Sequence, residues 1–171
     1  ILNLGSHPLF EDMLSEKKRK NKDQATIVMK AWCMLNISIE EVSFRAGKFN
    51  PLMERTVITE EEKMDLKNIF DFIYDTNAKL LENVETKVSE KLYTETNFVS
   101  LIPFFDEALG KDIDDKMMAD WLVSFFDTYD GGISVSEEYN NACISAVADN
   151  GNIQKRHWAL KKSFDEFFKE E

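Results

Sequence analysis

Cysteine, histidine, proline and glycine are all scarce in this chain: two, two, three and six of 171 residues. Cys33 and Cys143 stand alone without Cys-x-x-Cys spacing. That excludes a disulfide-stapled secreted scaffold and a four-ligand structural zinc site, and it favours a reducing, cytoplasmic compartment. So little glycine and proline leaves few turn signals for a many-stranded β-protein and none of the composition of a flexible linker. No apolar run approaches the ~18 to 20 residues that cross a bilayer, so no membrane partner is expected. The opening Ile1-Leu2-Asn3-Leu4-Gly5 lacks an initiator Met and the basic start and length of a signal peptide. The expectation is one helical domain over residues 1–171, the C-terminal fragment of a longer protein.

Catalytic signatures are missing as well. The phosphate-cradling patterns GxGxxG and GxxxxGK[ST] and the nucleophile elbow GxSxG do not occur, and neither cysteine has a histidine nearby in sequence. His7 and His157 lie at opposite ends of the chain. His157 falls on an apolar helical stripe, where a packed, hydrogen-bonded histidine is a simpler reading than a metal ligand. The pairs Asp114/Asp115 and Glu137/Glu138 sit in helix first turns, where acids complement the helix dipole without any chemistry. Asp127–Glu138 matches a calcium loop at positions 1, 6 and 12 (Asp127, Gly132, Glu138). Tyr129 and Gly131 fill positions 3 and 5, where ligand oxygens are needed, and Ser134 fills the normally apolar position 8, so a plain helix connection is expected. No catalytic, cofactor-binding or metal-binding residue is assigned.

What the chain does have is core material and helical periodicity. Hydrophobic residues make up 43% of the sequence, including 13 Phe, 3 Trp and 7 Met. Ser6-His7-Pro8 reads as the start of a short helix carrying Leu9, Phe10, Met13 and Leu14. Ile27, Ala31 and Leu35 mark a buried face that ends near Asn36. Residues 37–58 are the least regular: Ser38 caps a turn over Ile39–Val42, and Phe44–Pro51 reads as a loop or short extended piece. Thr59-Glu60-Glu61-Glu62 is a capping box, and Leu66, Ile69, Phe70, Ile73, Leu80, Leu81 and Val84 follow it on one face.

Thr94-Glu95-Thr96-Asn97 opens the next apolar helix, which Pro103 should kink or split and Gly110 should terminate. Asp114-Asp115 start another, with Met118, Trp121, Leu122, Phe125 and Phe126 inward. Gly131-Gly132 break the chain, Ser136 starts a helix over Tyr139–Val147, and Asn150-Gly151 reads as a turn. The last helix, over 152–169, carries Ile153, His157, Leu160, Phe164, Phe167 and Phe168. The fold expected is all-α, a compact bundle of about seven or eight helices.

Charge is abundant and uneven. The net charge is −11, from 32 acidic and 21 basic residues, which argues against general binding to phosphate backbones. Residues 101–150 hold 11 acids against Lys111 and Lys116, a net of −9, so the rest is nearly balanced. Asp112, Asp114 and Asp115 in that segment are candidate contacts for a basic protein partner. Lys17, Lys18, Arg19, Lys20 and Lys22 form a basic run, with a solvated connection as the competing reading. Lys155 and Arg156, with Lys161 and Lys162, form a second basic cluster on the polar side of the last helix. A DNA-binding face would result if the two clusters met.

Several stretches together resemble one bacterial and phage family. They are His7-Pro8-Leu9-Phe10 with the Lys17–Gln24 helix start, the block Leu92-Tyr93-Thr94-Glu95-Thr96-Asn97-Phe98-Val99-Ser100-Leu101, and Ile133-Ser134-Val135-Ser136-Glu137-Glu138-Tyr139 followed by Lys155-Arg156. The family has an N-terminal ParB/sulfiredoxin-like domain (domain of unknown function 262) and is related to GmrSD-type modification-dependent restriction enzymes. The similarity is to the helical region downstream of that domain. The family's Asp-Gly-Gln-Gln-Arg motif is absent, as is its His-containing C-terminal nuclease motif. Phe44-Arg45-Ala46-Gly47 shares letters with the Phe-Arg-x-x-Asn-x-Gly-Gly segment but lacks the Asn and the paired glycines. The resemblance therefore implies a non-catalytic accessory domain of a DNA-directed parent, one that positions a nuclease-like domain or mediates association. The alternative is a stand-alone acidic helical protein that binds and regulates a protein partner.

Overall fold

The computed structural model describes residues 3–21 and 23–169. Among these there are ten α-helices, a 3₁₀ turn at Leu4–Ser6 and no strand, the all-α architecture that the periodicity predicts. Two short helices, α1 (Leu9–Met13) and α2 (Glu16–Lys20), lead into α3 (Asp23–Asn36) and α4 (Ala46–Arg55). The 23-residue α5 (Glu60–Glu82) follows, then α6 (Thr86–Leu92) and α7 (Glu95–Gly110). The chain finishes with α8 (Asp115–Phe126), α9 (Glu137–Ile144) and α10 (Asn150–Phe167). None of these helices is long and apolar enough to cross a membrane.

Helix α7 lies at the centre, packed against α3, α5, α6 and α10, while α5 also packs on α8 and α10 on α9. It therefore buries side chains all round, from Asn97 through Ile102 and again at Phe104, Phe105 and Ala108. Aromatic contacts run outward from it. Phe98 meets Phe70, which meets Phe10; Phe105 meets Phe72; and Phe104 meets Trp121 and Phe164. Of the two outcomes expected at Pro103, a kink or a split, the split does not occur: α7 runs through it from Glu95 to Gly110. Proline costs the helix its own amide donor and a clash with the preceding turn, and the neighbouring Ile102, Phe104 and Phe105 are all buried in the core.

Other boundaries also differ from the sequence reading. Residues 46–55 form a helix rather than a loop, despite the poor propensity of Gly47, Asn50 and Pro51. Its single buried residue, Phe49, is 4% exposed and stands edge-on to Phe44 at 5.6 Å, so tertiary packing outweighs local preference. Asn150 and Gly151 are the first residues of α10, not a turn. The Asn150 side chain instead donates to the carbonyls of Ile39 (2.9 Å) and Val42 (2.7 Å), fastening the 37–45 segment to α10. Gly110 ends α7 as a helical residue, and Asp112 supplies the left-handed turn beyond it, with φ 53°. The capping box is present as expected: Thr59 Oγ1 accepts from the Glu62 amide at 3.2 Å and the Glu62 carboxylate accepts from the Thr59 amide at 2.7 Å.

Candidate functional site

The basic run forms α2, which Ser15 caps by accepting from the Lys18 amide. The helix contains no buried residue; Lys17, Lys18 and Lys20 are exposed and Arg19 is half-buried. Lys20 pairs with Glu16 at 2.7 Å, and among the described residues Lys17, Lys18 and Arg19 have no acidic partner. Lys22 lies outside the described residues.

The second basic cluster divides. Lys155 and Lys162 are exposed, while Lys161 pairs with Glu107 (3.3 Å) and Asp165 (2.5 Å). Arg156 is a correction to its reading as a DNA contact, because it is only 3% exposed. Its Nε donates to Ser100 Oγ at 3.1 Å, Nη1 to the Ala142 carbonyl at 2.8 Å and Nη2 to the Val147 carbonyl at 2.8 Å. The signal was present in the spacing, since 153, 156, 160 and 164 follow one helical stripe and all four are buried. Helix α2 packs on α1 and α3 and helix α10 on α9, α7 and α8, so the fold seats the two clusters on different neighbours.

The three candidate acidic contacts gather at the α7–α8 connection. Asp112 holds the left-handed position, Asp114 Oδ1 caps α8 by accepting from the Met117 amide at 2.8 Å, and Asp115 Oδ1 accepts from the Lys116 amide at 2.8 Å. Asp112 and Asp114 are exposed and Asp115 is half-buried. Each thus has a local role that needs no partner.

The calcium-like loop is organised by a lysine. Lys91, from α6, reaches into it and donates to the carbonyls of Phe126 (2.6 Å) and Gly132 (2.7 Å). Burial pulls the pKa of this ammonium down, and the nearby Asp127 and Asp130 oppose that shift. Thr128 Oγ1 also donates to the Gly132 carbonyl, and Asp130 Oδ1 accepts from the Gly132 amide. A side-chain cation therefore sits against the loop carbonyls. Among the described residues there is no cluster of His, Cys, Asp and Glu suited to a metal.

Among the described residues no cysteine is paired with a histidine. His7 Nδ1 accepts from the Leu9 amide at 3.2 Å, so its proton lies on Nε2, which donates to Asp71 Oδ1 at 2.9 Å; both ring nitrogens are occupied. His157 packs on Phe104 with ring centroids 5.3 Å apart, and its Nδ1 is buried without a hydrogen-bond partner. The histidine is packed as expected, but that nitrogen is unsatisfied. Burial pushes the Cys33 thiol up to about 12, and it also raises that of half-buried Cys143, which leaves both as poor nucleophiles.

The class that this arrangement defines is an all-α bundle with exposed charged segments. Comparison of the chain with protein-family models, with curated proteins and with solved structures finds no match in any of the three.

Proposed function

We propose that this chain is a non-catalytic helical accessory domain of a ParB-like, DNA-directed bacterial or phage protein, working in the cytoplasm to position a nuclease-like domain or to mediate association. The observation that carries the reading is α2, a solvent-exposed helix in which Lys17, Lys18 and Arg19 have no acidic partner among the described residues. Three or four cations on one short element neutralise neighbouring phosphates. The resemblance to the helical region of the ParB/sulfiredoxin-like family supplies the parent.

The test is DNA binding by fluorescence anisotropy between about 50 and 200 mM salt, with and without Lys17→Gln, Lys18→Gln and Lys20→Gln together. Because α2 buries nothing, the variant keeps its fold. The slope of log K against log salt should become shallower by roughly 2 to 3, at about 0.9 for each phosphate no longer neutralised. An unchanged slope removes the DNA reading. It would favour the second one, a stand-alone acidic protein docking a basic partner surface through residues 101–150, where Asp112 and Asp114 are exposed beside Leu109 and Met117.

A further inference from the structure

We infer that the cavity beside Arg156 binds a small monocarboxylate with an apolar body. Arg156 carries a full charge at 3% exposure, and its acceptors are one hydroxyl and two backbone carbonyls, all neutral. Among the described residues no carboxylate pairs with it. The ionisable groups that act on its charge, Cys143 and Tyr139, are themselves held protonated by burial and supply no counter-charge. A buried charge in this position is costly unless an anion joins it. Of the five N–H donors of a guanidinium, three are used here, and one on each terminal nitrogen has no acceptor among the described residues. That pair is what a carboxylate takes in a two-pronged contact.

Arg156 lines a cavity of about 240 Å³ between α3, α7 and α10. Phe44, Val99, Val147 and Ala148 give it apolar walls, and exposed Val147 marks its mouth. The remaining charges in the wall, Lys30 and Glu95, pair with each other at 2.5 Å and cancel. One positive charge is left over, which matches a monoanion better than a dianion such as phosphate. The volume is below the ~300 Å³ at which sites for drug-sized molecules begin, so the acid is small. This assignment is independent of the DNA reading.

Replacing Arg156 would also release the 142–147 backbone, so the test leaves it in place. The whole chain is titrated with benzoate, with the neutral benzamide and with inorganic phosphate, reading thermal midpoint and calorimetric binding. A second series uses Ala148→Leu, which fills the cavity and leaves the Arg156 donors intact. Benzoate should bind and raise the midpoint, with benzamide and phosphate at least tenfold weaker, and Ala148→Leu should weaken benzoate binding at least tenfold. Equal binding of benzamide, preferential binding of phosphate, undiminished benzoate binding to Ala148→Leu, or no benzoate binding at millimolar concentration would each overturn the assignment.

Discussion

His157 shows how a single side chain couples packing to pH. Its ring lies against Phe104 with a buried, unpartnered Nδ1, and burial, with Lys161 adding to it, pulls its pKa below the ordinary histidine value. The unfolded chain therefore takes up this proton near pH 6.5 while the folded chain resists it, so stability is lost as pH falls below about 6.5. His157→Phe should flatten the fall in the urea midpoint between about pH 6.5 and 5; identical profiles would show that the ring contributes nothing there. Val84 is a second residue under local constraint. It takes the left-handed position after α5 with φ 64° and is 78% exposed, an unfavourable place for a β-branched residue. Val84→Gly should raise stability by about 0.5 to 1 kcal/mol, the relief of strain exceeding the added freedom of the unfolded chain. A thermal melt reads it directly.

Among the elements, α6 matters through one side chain. Lys91 holds the 127–136 loop by its hydrogen bonds to Phe126 and Gly132, carbonyls that lie 35 and 41 residues away in sequence. Lys91→Met keeps the aliphatic stem and leaves those carbonyls without their cation. The expected cost is roughly 2 to 4 kcal/mol, with faster amide exchange confined to the loop and the start of α9. A variant with wild-type stability and exchange would mean that the loop is held elsewhere. Caps and apolar stripes made α5, α8 and most of α10 legible in sequence, because Thr59, Asp114 and the periodic residues act within one or two turns. Helix α4 was not legible, since its local composition favours a loop and only Phe49 packing opposes it.

For the whole molecule, the aromatic cluster joins the halves of the chain. Phe104 touches Trp121, His157 and Phe164, so α7, α8 and α10 meet on one ring. Phe104→Ala should cost about 3 to 5 kcal/mol and lower the urea midpoint in a single transition. Two separated transitions would show that α8–α10 melt apart from the rest.

Helical class, the main caps, the acidic middle segment and the lack of a nucleophile or metal motif were all determined by sequence. Each depends on residue type and short spacing, which a linear chain displays. Tertiary structure alone decided which acceptors Arg156 meets, that Lys91 occupies the calcium-like loop and that the two basic clusters have different neighbours. Those outcomes depend on partners far apart in the chain: Arg156 meets Ser100 across 56 residues. A polar side chain on a helix stays in solvent or turns inward according to whether distant backbone and hydroxyl acceptors are waiting for it, and periodicity carries no record of them.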